Sequence, residues 1–256
     1  MSSALAQALW DARVNARVID PAPATLPTDE AGAYDLQAAI TAIGGAEVVG
    51  FKIGATAQPT LDLMGLSQPF FGPLYERYCS PNGAEVAINP AQKAGLETEF
   101  SVCLGQDLPS GREYKFDDIE AALEWVAPAF EIIGFRVAGE VAGAGTRLIA
   151  DGGANVNFVH GEPVRDWRQF DFTSHPAALH INGKEVASGH AGMSIFENAL
   201  AALVWLANHR TNSRGLRAGD VITTGTVTGI TPLEAGMTAR GDFGALGEVR
   251  CTFVSV

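Results

Sequence analysis

Hydrophobic and polar positions follow two different patterns along the chain, and the change falls near residue 84. Before it, apolar residues recur at helical spacing over residues 3–18 and again over 28–44. A strand-like run over 47–54 and a short helical stretch over 58–66 follow. The aromatic segment 69–75, which is bracketed by prolines, is typical of a loop. This part therefore predicts a small, mainly helical unit in which Thr28-Asp29-Glu30 caps the second helix and Gly44-Gly45 closes it.

Beyond residue 84, short apolar segments alternate with Gly, Pro and Asn, which is typical of β-strands joined by turns. A hairpin is predicted over 177–186, with Asn182 and Gly183 as its turn. Helices are predicted over 117–126 and 194–209, a buried strand over 221–226, and two closing strands up to residue 254. The layout predicts a mixed β core with few helices behind the helical N-terminal part.

Three glutamates lie in apolar surroundings and are the first candidates for chemistry. Glu97 and Glu99 are two residues apart in a predicted strand, so their side chains point to the same face. Glu131 is flanked by Phe130 and by isoleucines. Buried carboxylates are costly unless they are paired or bind metal, and oxygen-only ligands suit Mg²⁺ or Mn²⁺. The alternative is the solvated face of an edge strand, and at this point it stays open.

Three further residues are candidates for the same pocket, each with a structural alternative. Lys52 stands between glycines in an apolar strand and is a candidate anion anchor or proton-transfer group, unless it faces solvent at an edge. Asp151 stands where a predicted strand ends in a turn before two glycines, and it is either an orienting partner of a metal ligand or part of a simple turn. Thr226 ends a Thr-rich strand whose hydroxyl and N–H groups can cradle a carboxylate, or serve only the strand.

Composition narrows the function classes. The chain has 256 residues, 47% of them hydrophobic, and a formal net charge of −12, which argues against nucleic acid and anionic membrane surfaces as partners. Three cysteines without metal-ligand spacing favour a reducing, cytoplasmic location. Neither a signal peptide nor an apolar run long enough to span a membrane is expected. Serine-hydrolase elbow and phosphate-binding loop motifs are absent from the sequence.

Taken in order, several short segments resemble the 2-oxopent-4-enoate (2-hydroxypentadienoate) hydratase and 4-oxalocrotonate decarboxylase family of the fumarylacetoacetate hydrolase superfamily. The resemblance covers nearly the whole chain. The segments that carry it are Gly50-Phe51-Lys52-Ile53-Gly54, Pro69-Phe70-Phe71-Gly72, Glu97-Thr98-Glu99, Pro128-Ala129-Phe130-Glu131, Ala150-Asp151 and the run from Leu216 to Thr226.

The resemblance implies an α+β fold in which a mixed β-sheet folds on itself as a roll or barrel. Residues 1–80 would form a small helical and loop part packed on the core, and 81–256 the β-roll catalytic domain, together one structural unit. It also implies one Mg²⁺ or Mn²⁺ on Glu97, Glu99 and Glu131. Lys52 and Asp151 would be catalytic, with Asp151 behind the metal ligands, and the substrate would contact Phe70, Phe71, Gly72, Gly152 and Thr226.

The implied activity is metal-dependent addition of water to 2-hydroxy-2,4-dienoates in the degradation of aromatic compounds. Decarboxylation of 2-oxo-3-enedioates, acylpyruvate C–C hydrolysis and a non-catalytic partner subunit stay open. Two departures from the family pattern bear on this choice: Phe70 replaces an acidic residue, and Gly152-Gly153-Ala154 replaces Asn-Ala-Ser after Asp151, which removes an amide and a hydroxyl. The expected partners are a small 2-oxo or 2-hydroxy acid, further copies of the chain and a related decarboxylase, with neither nucleic acid nor membrane.

Overall fold

The computed structural model describes residues 3–256 as an α+β fold with two β-sheets and six α-helices. The helices are α1 (Ser3–Val14), α2 (Glu30–Gly44), α3 (Gln58–Met64), α4 (Phe116–Ala122), α5 (Gly145–Ala150) and α6 (Ala202–Ala207). The strands are β1 (Val48–Gly54), β2 (Phe70–Tyr75), β3 (Cys79–Ser80), β4 (Glu85–Ile88), β5 (Gly95–Leu104), β6 (Leu123–Ile133), β7 (Asn155–His160), β8 (Pro176–Ile181), β9 (Lys184–His190), β10 (Val221–Pro232), β11 (Thr238–Asp242) and β12 (Glu248–Ser255).

The larger sheet has the strand order β2-β1-β10-β5-β6-β7-β3, and the smaller one β4-β12-β11-β8-β9. Both are mixed: β1 runs parallel to β10 and β3 to β7 in the larger sheet, β4 runs parallel to β12 in the smaller one, and the other strand pairs are antiparallel. The predicted mixed sheet is thereby confirmed. Strands β1 and β2 come from the first 80 residues yet lie within the larger sheet, and the proposed boundary at residue 80 stays a prediction.

The two sheets pack together through aromatic side chains. Phe100 of β5 and Phe243, just after β11, are fully buried with their ring centres 5.0 Å apart. Burial of a side chain of this size stabilises the fold by about 2 kcal/mol. Because side chains alternate along a strand, Glu97 and Glu99 point away from Phe100 and the smaller sheet. The opposite face of the larger sheet thus carries the candidate site. Helices α1 and α5 each pack against α2.

Two local predictions are confirmed in detail. Helix α2 begins after Asp29, whose side chain accepts a hydrogen bond from the Gly32 N–H (2.7 Å), and ends at Gly45 with φ 57°. Asn182 and Gly183 have φ values of 51° and 79° between β8 and β9, which suit the tight turn of a hairpin.

Three predicted elements were wrong. The segment predicted as a loop forms β2, where Pro73 is tolerated because β2 is an edge strand of the sheet. The helix predicted over 117–126 ends at Ala122, since the next residues pair with β5 and begin β6. The long helix predicted over 194–209 is reduced to a 3₁₀ turn at Ala199–Ala201 and α6, because Glu197 adopts φ 56° and the Asn198 side chain caps the turn.

Within residues 3–256, no helix combines the length and the apolar character that crossing a membrane requires.

Candidate active site

The three glutamates meet at the middle of the larger sheet. Glu97 lies directly opposite Glu131 in the pairing of β5 with β6, and Glu99 is on the same face of β5 as Glu97. One carboxylate oxygen from each residue lies within 4.8 Å of the other two. Glu99 and Glu131 are only 1% and 0% exposed. The structure therefore brings together the three carboxylates that the strand pattern singled out.

Glu99 is fixed from the neighbouring strand β10. The Gly225 N–H donates to Glu99 Oε2 over 2.8 Å, at a point where the register of β10 against β5 is irregular. Gly225 has φ 96°, and a Cβ atom built there would lie 2.1 Å from Thr56 Oγ1. Only glycine can therefore present its N–H to Glu99 at this position.

Lys52 supplies a buried positive charge beside the carboxylates. It is 2% exposed in β1, and its Nζ lies 3.4 Å from Glu131 Oε1 and 4.9 Å from the centre of the Phe70 ring. Glycine at 153 leaves room for it, because a Cβ there would lie 1.9 Å from Lys52 Cε. Of the two positions that the sequence leaves open for Lys52, the structure shows the inward one and excludes the solvent-facing one.

Asn155 was missed by sequence reasoning, although a polar residue opens β7 within an apolar segment. Its Nδ2 donates to Glu131 Oε1 over 3.1 Å. Behind it, two buried arginines, Arg13 and Arg136, each donate to the Asn155 carbonyl over 2.8 Å. Arg136 Nε also donates to Asp151 Oδ1 over 2.8 Å. A continuous set of buried hydrogen bonds thus connects Asp151 with Glu131.

Asp151 follows helix α5 rather than a strand, so its predicted local structure was wrong. Its side chain nevertheless lies behind the three glutamates, as expected. Its carboxylate is 6% exposed and is paired with Arg136. Asp151 is not among the described residues that line the cavity at the site. Its contacts suit a positioning role, and its assignment as catalytic stays a prediction.

A cavity of about 620 Å³ opens onto the cluster. Of the residues predicted to contact substrate, Phe70 and Thr226 line it. Thr226 pairs with Glu99 across β10 and β5, and its hydroxyl donates to the Gly229 carbonyl over 3.0 Å. Gly153 also lines the cavity. It is one of the positions that depart from the family pattern, but it was not predicted to contact substrate.

The other three predicted substrate contacts lie outside this lining. The Phe71 ring stacks on Tyr34 with ring centres 4.7 Å apart. Gly72 faces the backbone of Gly152, because a Cβ at Gly72 would lie 2.4 Å from the Gly152 carbonyl oxygen. Gly152 itself has φ 65° and approaches Arg13. Direct substrate contact by Phe71, Gly72 and Gly152 therefore stays a prediction.

Comparison with known proteins places this geometry in a family. A family model described as fumarylacetoacetate (FAA) hydrolase C-terminal matches residues 76–254, which is more than half of the chain. The chain belongs to the fumarylacetoacetate hydrolase family. The superfamily expected from the sequence is therefore confirmed.

Relatives within the fumarylacetoacetate hydrolase family are named as hydratases. The 2-hydroxyhexa-2,4-dienoate hydratase of Comamonas testosteroni is 32% identical over 75% of this chain and 73% of its own length. The 2-keto-4-pentenoate hydratase of Burkholderia vietnamiensis is 28% identical over 98% of this chain and 97% of its own length. These names confirm the prediction that the chain is an enzyme of the hydro-lyase class.

A solved structure of the same family matches the whole fold. It is 4-oxalocrotonate decarboxylase from Pseudomonas putida G7 complexed with magnesium and adipate, with a TM-score of 0.87 and 26% identity over 98% of this chain and 97% of the other. The match confirms the predicted fold class, a mixed sheet that curls on itself together with a few helices.

The residues at the fumarylacetoacetate hydrolase site fit a divalent cation. Glu131 Oε2 is buried and has no hydrogen-bond partner within residues 3–256, which is costly for a carboxylate oxygen. Three carboxylates face a single ammonium group, so a doubly charged ion would balance the local charge. An all-oxygen donor set suits hard cations such as Mg²⁺ and Mn²⁺.

Metal binding is expected to depend steeply on pH. Burial, then repulsion from Glu131, raises the pKa of Glu97 to about 7, and burial with repulsion from Glu131 and Glu97 raises the pKa of Glu99 well above its usual range. Because both pKa values lie above those of the unfolded chain, ionisation destabilises the metal-free protein as pH rises from about 4.5 through 7. Protons compete with the cation below pH 7.

We expect Mg²⁺ affinity to be at least about ten-fold weaker at pH 6 than at pH 8, since about one-tenth of a group with pKa 7 is ionised at pH 6. Calorimetric titrations in two buffers of different ionisation enthalpy would measure both the affinity and the proton release. An Mg²⁺ affinity that is equal at the two pH values, with no proton released, would contradict this assignment of the carboxylates.

The buried pair of Arg136 and Asp151 is expected to matter for stability. Arg136→Met leaves the Asp151 carboxylate buried without its charge partner, which should lower the free energy of unfolding by about 3–5 kcal/mol. The double variant Arg136→Met/Asp151→Asn should recover a large part of the loss, because the unpaired charge is gone. Urea unfolding with chelator present measures both, and a loss below about 1 kcal/mol for the single variant would disprove the expectation.

Proposed function

We propose that this chain is a divalent-metal-dependent hydratase that adds water to 2-hydroxy-2,4-dienoates in the degradation of aromatic compounds. The observation that carries the proposal is the cluster of Glu97, Glu99 and Glu131 beside Lys52, of which Glu97, Glu99 and Lys52 line the cavity. The hydratase names of relatives that align over nearly the full chain support the choice of reaction.

Glu97, Glu99 and Glu131 would hold one Mg²⁺ or Mn²⁺. The bound ion would polarise the C2 oxygen of the substrate and stabilise the charge that develops there. The glutamates are held for this by the Gly225 N–H on Glu99 and by the Asn155 amide on Glu131. Solved structures of relatives contain magnesium or calcium, which supports this class of cation.

The proposed reaction has two proton-coupled steps. First, the dienol loses the proton of its C2 hydroxyl and gains one at C5, which yields a 2-oxo-3-enoate with its alkene conjugated to the ketone. Then water adds its oxygen to C4 while C3 gains a proton, giving the 4-hydroxy-2-oxo acid. Each step needs a group that can take and return a proton near the substrate oxygens.

Lys52 is the proposed group for proton transfer and for contact with the substrate oxygens. Its Nζ is held between Glu131 and the Phe70 ring and lines the cavity. The acidic side chain that the family pattern has at position 70 is absent, so the ring of Phe70 instead shields the ammonium group from water. Thr226 and the backbone around Gly225 are proposed to receive the substrate carboxylate.

Decarboxylation of 2-oxo-3-enedioates is the second candidate. The observation in its favour is the match of the entire chain to 4-oxalocrotonate decarboxylase from Pseudomonas putida G7, at a TM-score of 0.87. Both reactions pass through a dienol of the same type and use the same end of the substrate. The choice therefore depends on whether the far end of the cavity accepts a second carboxylate.

The test is an assay of products with 2-hydroxypenta-2,4-dienoate and with 2-oxo-3-hexenedioate, each with Mg²⁺ and with chelator. We expect metal-dependent formation of 4-hydroxy-2-oxopentanoate from the first substrate and little CO₂ from the second. Release of CO₂ from the enedioate at a higher kcat/KM than hydration would replace the hydratase proposal by the decarboxylase one.

Three associated expectations stay predictions. They are assembly into a homo-oligomer, a complex with a related decarboxylase, and a cytoplasmic location. Acylpyruvate hydrolysis and a non-catalytic partner subunit remain alternatives, which the product assay would also reveal.

A further inference from the structure

The cavity has a charged end and an apolar end, and strand β5 sets the direction between them. Glu99, Glu97 and Gly95 lie on the same face of β5, and four residue steps of about 3.3 Å separate the first from the last. The cavity wall therefore extends about 13 Å along this strand, from the innermost carboxylate to Gly95.

At the Gly95 end, two isoleucines occupy the space that a side chain would need. A Cβ at Gly95 would lie 2.6 Å from Ile230 Cγ2 and 3.3 Å from Ile133 Cγ1. Ile133 pairs with Gly95 across β5 and β6. The absence of a side chain on β5 thus gives both isoleucines access to the cavity. Further apolar side chains that line the cavity are those of Met64, Phe135, Val141, Leu148 and Leu233.

Positive charge is confined to the two extremes of this lining. Among the described residues around the cavity, the cationic side chains are Lys52, which is engaged with Glu131, and Lys93, which is exposed. Glu234 also lines the cavity and is exposed. A second carboxylate on the substrate would lose its hydration against the apolar side chains of the wall, and an ion pair with the exposed Lys93 at that end would return at most about 1 kcal/mol. The lining therefore favours an uncharged tail over a second carboxylate.

The size of the cavity exceeds the needs of a five-carbon acid. A volume of about 620 Å³ corresponds to about 20 water molecules at about 30 Å³ each. A substrate held by its C1 and C2 oxygens at the glutamates has only three carbons left to place in the remainder. The apolar walls would then stay hydrated, whereas a longer tail would displace that water and gain the hydrophobic contribution.

We propose that the enzyme prefers 2-hydroxy-2,4-dienoates that carry a long, uncharged, apolar tail at C5 over both the five-carbon acid and dicarboxylates. This inference rests on the proposed hydratase function and specifies its substrate class. Each methylene buried in such a wall contributes up to about four-fold in binding, so a four-carbon tail should improve kcat/KM at least about ten-fold even if it is only partly buried.

The test compares kcat/KM for three compounds in the presence of Mg²⁺: 2-hydroxypenta-2,4-dienoate, 2-hydroxynona-2,4-dienoate and 2-hydroxynona-2,4-dienedioate. We expect the nine-carbon monoacid to exceed both the five-carbon acid and the diacid by about ten-fold or more. Equal values for the two monoacids, or a diacid as good as the nine-carbon monoacid, would overturn the inference.

Binding measurements separate this inference from the reaction. Pyruvate, 2-oxononanoate and 2-oxononanedioate carry the same 2-oxo acid end, and calorimetry with Mg²⁺ measures their affinities without turnover. If no dienoate is hydrated yet 2-oxononanoate binds at least ten-fold tighter than the other two, the tail preference stands and the hydratase proposal fails. If the five-carbon acid is hydrated and 2-oxononanoate has no advantage, the hydratase proposal stands and the tail preference fails.

A pair of variants at Phe135 tests the charge argument. Phe135 is a partly buried wall residue two positions beyond Ile133, so replacing it places new chemistry in the wall without emptying the buried core. Phe135→Lys should raise kcat/KM for the diacid relative to the nine-carbon monoacid by at least ten-fold compared with Phe135→Met, which has a similar length and no charge. If the ratio of kcat/KM for the diacid to kcat/KM for the nine-carbon monoacid is the same in both variants, a cation in the wall does not control the choice of substrate.

Discussion

Glu99→Gln is expected to abolish the stabilisation by Mg²⁺ and to lower kcat/KM by at least about 10³-fold, which corresponds to about 4 kcal/mol of transition-state stabilisation. Glu99 is one of three carboxylates whose oxygens approach within 4.8 Å, and it is the one held by a backbone N–H. Glutamine keeps the size and an acceptor oxygen but removes the negative charge that a hard cation requires.

Glu99→Gln is also expected to change the thermal stability of the metal-free protein. Burial and the neighbouring carboxylates raise the pKa of Glu99, so its ionised form destabilises the fold at pH 8. We therefore expect Glu99→Gln in chelator to have a Tm equal to or above that of the wild-type protein at pH 8, although it has lost the response to Mg²⁺. A protein that merely unfolds cannot give this combination.

The control for Glu99→Gln is Glu185→Gln, which makes the same chemical change at an exposed position of β9. Thermal unfolding of the wild-type protein and both variants, with Mg²⁺ and with chelator, gives the full comparison. A Glu99→Gln variant that keeps its Mg²⁺-induced rise in Tm would show that the cation binds elsewhere.

Lys52→Met is expected to lower kcat by about 10²–10⁴-fold while the protein still binds Mg²⁺. The ammonium group is within 3.4 Å of Glu131, lines the cavity and is shielded by Phe70. Methionine preserves the length and the apolar stem of the lysine, so a loss of kcat reports on the removed charge and the removed proton-transfer group. The metal ligands remain, and removing a nearby positive charge does not weaken their attraction for a cation.

Measurements of kcat, KM and the Mg²⁺-induced change in Tm would test the role of Lys52, with Lys184→Met on the exposed hairpin as the matched control. A second variant, Gly153→Ala, keeps the lysine but displaces it, because the new Cβ would lie 1.9 Å from Lys52 Cε and φ is 71°. It should lower kcat as well. Activity of Lys52→Met within about three-fold of the wild-type value would contradict a role in proton transfer.

The sequence is informative about this site where the chemistry follows local periodicity. A two-residue spacing in a strand places Glu97 and Glu99 on one face whatever the rest of the fold does. The apolar strand and flanking glycines of Lys52 gave an inward position as one of two possibilities. The mixed sheet followed from short apolar segments with turn residues between them. These features depend on residues close in sequence, and the structure agrees with each.

Features that depend on pairing between distant segments could not be predicted from local sequence patterns. Asn155 contacts Glu131 only because β6 and β7 pair in one register, and Arg13 reaches the Asn155 carbonyl across 142 positions of sequence. The helix expected over 194–209 fails because Glu197 and Asn198 adopt local conformations that compete with helix formation. The helical pattern of the apolar residues alone gives no sign of that competition.

The central claim is that Glu97, Glu99 and Glu131 hold one divalent cation at the reacting end of the substrate. Anomalous diffraction from crystals soaked with Mn²⁺ tests it most directly. We expect a single strong peak with a carboxylate oxygen of all three glutamates at about 2.0–2.2 Å, and no such peak in Glu99→Gln crystals grown under the same conditions. A peak bound by other residues, or none at Mn²⁺ concentrations that support turnover, would contradict it.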